Sequence, residues 1–92
     1  MPNRLGLAYR AGKLAVGTER AVKAIQNRKA ELILLANDAS NLTIKKVTDK
    51  AKYYQVKVNQ EFNTQSLSKP LGKSNIKTVA ILDKGFSKMY EK

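Results

Sequence analysis

The sequence predicts an α/β sandwich whose sheet is at least partly parallel. Short segments with strand patterns alternate with segments of helical spacing along the chain, which is the element order of α/β domains. The clearest example is a short strand at residues 14–16, a helical pattern from Thr18 and an apolar run at residues 32–36. A strand, a helix and a buried strand in succession suggest a parallel βαβ unit.

The N-terminal third is predicted to form a helix, a strand and a second helix. The first helix covers residues 4–11 and stops at Gly12, since glycine favours helix ends. Residues 14–16 form the strand, and the second helix runs from Thr18, a candidate cap, to about Arg28. The residues predicted to face the core from these two helices are Leu5, Ala8, Tyr9, Ala21, Val22 and Ile25.

The middle of the chain is predicted to form a buried strand, a helix and another strand. The buried strand covers residues 31–36, and a turn then leads into a helix for which Asp38 or Ser40 is the candidate cap. Residues 56–59 alternate between apolar and polar side chains, which indicates a strand. The core stripe of the helix is predicted at Ile44, Val47, Ala51 and Tyr54.

The last third is predicted to contain two short helices around one strand. Ser66 is the candidate cap of a helix through residue 71 that ends at Gly72. The strand covers residues 77–82, and a terminal helix begins at Asp83 or Lys84 and continues to Tyr90.

Length and charge predict one domain with a polyanionic partner. The 92 residues are enough for a single cooperative domain, predicted over residues 1–92. Eighteen Lys and Arg against seven Asp and Glu give a net charge of +11, with the excess outside residues 31–50. This imbalance favours nucleic acid as the partner, and a basic protein with no special partner is the alternative.

The residue types that are missing exclude several classes of protein. The chain has no Cys and no His, so a disulfide scaffold, a thiol nucleophile and a Cys/His metal site are excluded. The longest apolar run has five residues, too few for a membrane span, and the N-terminus lacks the apolar core of a signal peptide. We therefore expect a cytoplasmic protein without a membrane partner or a cofactor.

The carboxylates give little support for catalysis. No two acids have a spacing that suggests acid–base work, and neither a phosphate-binding glycine loop nor a dinucleotide motif is present. Asp38 follows a buried strand, where α/β enzymes often keep functional groups, but a helix cap is the favoured interpretation. We expect a protein that is not an enzyme.

Two segments carry polar groups suited to RNA. The start of the second helix presents Arg20 and Lys23, which either form a solvated surface with Glu19 or donate to guanine edges and phosphates. The loop at residues 72–76 is either an ordinary connection or a second contact beside that helix. Residue spacing alone leaves both pairs of alternatives open.

The chain resembles the L7Ae family of kink-turn RNA-binding ribosomal proteins, and in particular its small bacterial members. The resemblance extends from about residue 5 to residue 86. It is carried by residues 7–13 (LAYRAGK), 17–23 (GTERAVK), 34–40 (LLANDAS) and 79–86 (VAILDKGF). It implies a three-layer αβα sandwich around a four-stranded mixed sheet.

The family's RNA motif is only partly present. That motif is Gly, Thr or Ala, Asn, Glu, two variable residues and Lys at a helix N-terminus, and it contacts guanines of sheared G·A pairs. Gly17, Thr18 and Lys23 match it, whereas Glu19 replaces the Asn and Arg20 replaces the Glu. An ionised Glu19 accepts hydrogen bonds but cannot donate them, and Arg20 donates to guanine O6 or N7 but cannot accept.

Further contacts are implied by the resemblance. The family's later acidic contact falls at Ser40, and its apolar contact to a flipped nucleotide falls at Ile44, which helical spacing places in the core. The family's apolar specificity loop falls at Lys73, Ser74 and Asn75, which are polar or basic and favour contact with the RNA backbone.

Together these observations predict a non-enzymatic protein that binds structured, kink-turn-like RNA, with ribosomal RNA as one candidate, and that is a monomer when free. The alternative is a protein-interaction adaptor that has kept the fold and lost specific RNA recognition; a small-ligand enzyme ranks far lower. The predicted RNA-binding residues are Lys13, Gly17, Thr18, Glu19, Arg20, Lys23, Ser40, Lys73, Ser74 and Asn75.

Overall fold

Helices and strands alternate along residues 4–90, the part of the chain that the structure, a computed structural model, describes. The predicted domain also includes residues 1–3 and 91–92, which lie outside the described residues. The elements are α1 (Arg4–Arg10), β1 (Leu14–Val16), α2 (Thr18–Gln26), β2 (Leu32–Leu35), α3 (Asn41–Tyr53), β3 (Lys57–Asn59), α4 (Thr64–Ser68), a 3₁₀ helix (Lys69–Leu71), β4 (Thr78–Ile81) and α5 (Lys84–Ser87). None of the helices in this range combines the length and the apolar character needed to cross a bilayer.

The strands within residues 4–90 form one mixed sheet in the order β1-β4-β2-β3. β4 is antiparallel to both β1 and β2, and β2 is parallel to β3. A mixed four-stranded sheet is confirmed, and β1 and β2 are parallel, as the predicted βαβ unit requires, with β4 between them. All of β4 is buried, whereas β1 is only half-buried, so β4 takes the inner position and separates β1 from β2. The directly paired parallel unit is β2-α3-β3.

Alternation along β2 divides the core into two apolar clusters, one on each face of the sheet. Leu32 and Leu34 belong to the cluster with α1, α4, the 3₁₀ helix and α5, whereas Ile33 and Leu35 belong to the cluster with α2 and α3. This arrangement confirms the αβα sandwich. Val22 and Ile25 are buried as predicted, but Tyr9 lies at the surface, 38% exposed.

The residues that cap the helices in the structure differ from several of the predicted caps. Ser40 caps α3 by accepting from the Thr43 amide at 3.2 Å, as one of the two predicted alternatives stated, and Asp83 caps α5. Thr18 is not the cap of α2, because Gly17 occupies that position and no side chain caps the helix. Ser66 is the third residue of α4, whose cap is Asn63.

Helices α2 and α3 both end in a Schellman motif in which a residue other than glycine adopts the left-handed conformation. Arg28 has φ 59° and Gln55 has φ 60°. The Arg28 amide donates to Ile25 and the following amide to Ala24, at 3.0 and 2.9 Å, and the end of α3 repeats the pattern. α1 ends in the same way with Gly12 at φ 72°, the residue type that adopts this conformation without steric cost.

Candidate nucleic-acid interface

Most of the predicted RNA-binding residues lie at one edge of the sheet. β1 and β2 run in the same direction and β4 runs against them, so the ends of β1 and β2 meet the start of β4. There the Gly17 amide donates to the Thr78 carbonyl at 2.9 Å and the Ala36 amide to the Lys77 carbonyl at 2.8 Å. We call this the upper edge, and the opposite edge, where β1 and β2 begin and β4 ends, the lower edge.

The start of α2 is an open helix N-terminus at the upper edge. Gly17 has φ 101°, and beyond its two chain neighbours no atom of the described residues lies within 4 Å of the place where a Cβ would stand. The helix has no side-chain cap. Since the first amides of a helix lack intrahelical partners and carry partial positive charge, this turn suits an anionic or hydrogen-bond-accepting ligand that approaches the backbone closely.

Thr18 has a structural contact inside the protein. Its Oγ1 lies 2.9 Å from Oγ1 of the buried Thr78, which fixes the first residue of α2 against β4. The three residues predicted to read or attract RNA here, Glu19, Arg20 and Lys23, are all exposed. The helix thus uses Thr18 for attachment and leaves its charged side chains available to a ligand.

A cleft of about 250 Å³ joins the start of α2 to the loop at residues 72–76. It is lined by Tyr9, Leu14, Val16, Arg20, Lys73 and Ile76. Arg20 and Lys73 are therefore two cations from distant parts of the sequence on one cleft. The Lys73 Nζ lies 5.6 Å from the centroid of the Tyr9 ring, a cation–π distance. Tyr9 is not among the residues predicted to bind RNA, because its helical spacing places it with the apolar residues and its partner is supplied only by the tertiary fold.

Lys73 also faces a second, shallower cavity of about 540 Å³, where Ser74 and Asn75 lie. On its wall, Lys77 Nζ donates to Thr64 Oγ1 at 2.8 Å, and the Thr64 hydroxyl and amide donate to Asp38 Oδ1 at 2.7 and 2.8 Å. These hydrogen bonds to Asp38, above all the one from the Thr64 hydroxyl, lower the pKa of Asp38 below its ordinary value, and the charge of Lys77 adds to the effect. Asp38 thus binds the first residue of α4 instead of capping α3.

The remaining predicted residues have different surroundings. Ser40 lies just beyond the upper edge, and its hydroxyl is bound to Thr43 as a helix cap. Ile44 is partly buried and packs against both core clusters, as its helical spacing predicts. Lys13 lies at the lower edge, where its carbonyl accepts from the Leu82 amide at 2.8 Å, so the structure does not bring it together with the start of α2.

Comparison with protein families and curated relatives gives consistent results. The model of the ribosomal protein L7Ae/L30e/S12e/Gadd45 family matches residues 1–91. RNA-binding protein YlxQ of Enterococcus faecium is 44% identical over 86 residues, which cover 94% of this chain and 82% of that protein. RNA-binding protein YlxQ of Bacillus subtilis (strain 168) is 43% identical over 83 residues, which cover 90% of this chain and 83% of that protein.

Solved structures show the same architecture. A protein with unknown function from Bacillus halodurans superimposes with a TM-score of 0.87 at 41% identity, covering 94% of this chain and 87% of that one. The 15.5kD RNA binding protein of Giardia lamblia superimposes with a TM-score of 0.80 at 16% identity, covering 94% of this chain and 74% of that one. At that low identity the second likeness concerns the fold alone.

Proposed function

The chain belongs to the ribosomal protein L7Ae/L30e/S12e/Gadd45 family, and from that premise we propose that it is a non-enzymatic RNA-binding protein that recognises kink-turn-like structured RNA. The observation that carries the proposal is the pairing of Arg20 and Lys73 on one cleft beside the uncapped start of α2. Two relatives above 40% identity bear the name RNA-binding protein, which supports the same partner.

The chemistry of the α2 turn suits guanine edges. In the family motif, Asn is able to donate and Glu accepts; in this chain Glu19 accepts and Arg20 donates, so one donor and one acceptor remain in reversed order. Arg20 matches the O6 and N7 acceptors of guanine, and the Glu19 carboxylate suits an amino or imino donor of a base. The reversal predicts that the RNA sits differently on the helix than in relatives with the Asn-Glu pair.

Charge around the cleft suits the RNA backbone. Lys73 lies on the cleft with Arg20, and the exposed Lys23 lies one helical turn after Glu19 on α2. Ammonium groups at such positions neutralise phosphates without sequence preference. With a net charge of +11, the protein attracts RNA over a long range, and ribosomal RNA is a candidate partner. We propose that it acts in the cytoplasm and is a monomer before it binds.

The test is binding to a kink-turn duplex and to a straight duplex with the same base pairs. Arg20→Ala and Lys73→Ala should each weaken binding to the kinked RNA by about 1–3 kcal/mol and binding to the straight duplex much less. Lys88→Ala is the matched control, since it removes one exposed positive charge directly after α5. Equal losses for all three variants on both RNAs would contradict recognition by the cleft.

A protein-interaction adaptor on the same fold is the second candidate. It is favoured by Glu19, whose exposed carboxylate repels phosphate at the head of the helix where the family has an amide. Under this alternative the wild-type protein would bind kinked and straight RNA equally, and only through its charge.

A further inference from the structure

The lower edge of the sheet carries an aromatic and cationic cluster that recognition at the upper edge does not use. Tyr53, the last residue of α3, is 79% exposed. Its ring meets the ring of Tyr54 edge-on, with centroids 5.0 Å apart and planes at 76°. The Arg28 guanidinium carbon lies 5.5 Å from the Tyr54 centroid. We call Arg28, Tyr53 and Tyr54 the lower-edge cluster.

The topology places this cluster away from the cleft. α2 and α3 both begin at the upper edge, after β1 and β2, and both lead to strands that begin at the lower edge. Arg28 follows Arg20 by two turns of helix, which separates them by roughly 12 Å along the axis. A ligand on the lower-edge cluster therefore leaves the cleft free.

The backbone conformation at Arg28 sets the direction in which its side chain leaves the end of α2. Arg28 occupies the left-handed position that ends α2, at φ 59°, where a Cβ is sterically disfavoured. Gly12 fills the equivalent position in α1 without that cost. The Arg28 guanidinium lies at cation–π distance from the Tyr54 ring, and the edge contact between Tyr54 and Tyr53 links all three residues.

The surroundings of the cluster are predominantly basic. The exposed lysines near it in sequence are Lys29 after α2, Lys52 at the end of α3 and Lys57 at the start of β3. The acidic residues of the same region are the half-buried Glu31, before β2, and the exposed Asp49, one helical turn before Tyr53. Cations outnumber carboxylates here, which favours a polyanion over an acidic or apolar surface as the neighbour of Tyr53.

We propose that the lower-edge cluster is a second RNA contact, on which an unpaired base stacks against Tyr53 while Arg28 and the nearby lysines hold the flanking phosphates. Aromatic rings beside positive charge are the means by which proteins bind single-stranded RNA without reading its sequence. An RNA with both a kinked helix and a single-stranded tail would reach the two edges of one molecule together. This inference stands apart from kink-turn recognition, which uses the upper edge.

The experiment measures binding of a short fluorescein-labelled oligouridine by anisotropy. Tyr53→Ala should weaken binding by about 5- to 150-fold, the usual value of one stacked base, whereas Tyr53→Phe keeps the ring and should bind as wild type. Leu42→Ala is the matched control, because Leu42 is 83% exposed at the start of the same helix. It should bind as wild type.

Two further measurements separate this site from the cleft. Arg20→Ala should weaken oligouridine binding much less than Tyr53→Ala does, and a single-stranded extension should tighten binding of a kink-turn RNA to wild type but not to Tyr53→Ala. Equal oligouridine affinity of wild type and Tyr53→Ala would overturn the proposal. So would self-association in the absence of RNA that is lost in Tyr53→Ala, since a second copy of the chain would then cover the ring.

Discussion

The side-chain hydroxyls of Thr18 and Thr78 lie 2.9 Å apart and share a hydrogen bond, which joins the first residue of α2 to the first residue of β4. The backbone makes a second link at the same place, because the Gly17 amide donates to the Thr78 carbonyl at 2.9 Å. Thr78 is fully buried. One buried residue therefore sets both the position and the direction of the helix turn proposed to read RNA.

Thr18→Val should lower the free energy of unfolding by about 1–3 kcal/mol, because it leaves the buried Thr78 hydroxyl without this partner. Thr18→Ser keeps the hydroxyl and should cost much less. Combining Thr18→Val with Thr78→Val removes both hydroxyls and should recover part of the loss, as measured by denaturant unfolding. Strictly additive losses would show that the two groups are not coupled.

Glu19→Asn should tighten binding to kink-turn RNA by about 1–3 kcal/mol, since an amide both donates and accepts and does not repel phosphate. Asp49→Asn is the matched control, because it removes the same charge from the exposed surface of α3. Affinities for kinked and straight RNA should be compared at one salt concentration. An equal gain for both variants on both RNAs would mean that only net charge had changed.

Asp38 should make stability depend on acid pH. Its pKa in the folded protein is held below the ordinary value of 3.8, chiefly by the hydroxyl and then the amide of Thr64. The stabilisation that the Asp38 carboxylate provides is therefore complete above the pKa that Asp38 has in the unfolded chain. It is lost as the pH falls through the pKa that Asp38 has in the folded protein. The stability difference between wild type and Asp38→Ala should shrink below about pH 4 in denaturant unfolding.

Thr64→Ala supplies the control for Asp38, because it removes the hydroxyl donor and should move the pKa of that carboxyl back up. An NMR titration of the Asp38 carboxyl measures the shift directly. An unchanged titration in Thr64→Ala would show that the hydrogen bond does not set the pKa.

Gln55→Gly should raise the free energy of unfolding by about 0.5–1 kcal/mol, because residue 55 ends α3 in the left-handed conformation that glycine adopts without strain. Gly12→Ala is the reverse experiment. Beyond the two chain neighbours, no atom of the described residues lies within 4 Å of the Cβ it would add, so its expected destabilisation comes from backbone strain and not from a clash. Thermal unfolding of both variants measures the two effects, and changes of the same sign would contradict the argument.

Local signals in the sequence predicted most of the elements. The continuous apolar run at residues 32–36 predicted the buried strand β2, and glycines mark the ends of α1 and of the 3₁₀ helix. Ser40 and Asp83 are caps because their partners lie three residues ahead, within the same turn. Such contacts are fixed by short-range chemistry that a pattern can contain.

Contacts between distant segments could not be derived in the same way. Asp38 binds Thr64, 26 residues further along, so it contacts the first residue of α4 and does not cap α3, the helix that follows it in the chain. The insertion of β4 beside β1 likewise depends on competition for burial among all the strands. The proximity of Arg20 to Lys73 was expected from the family resemblance. The contact of Tyr9 with Lys73 depends on packing that no local pattern contains.

The position of β4 has a consequence for synthesis on the ribosome. β1 is an outer strand of the sheet with β4 as its neighbour, and Leu14 pairs with Ile81. A growing chain makes its first strand early but cannot pair it until the strand at residues 78–81 has left the exit tunnel. The β2-α3-β3 segment has local partners and is free to form sooner. The α2 turn is held in place by Thr78 and is therefore completed late. Incomplete chains lack the surface proposed to bind RNA.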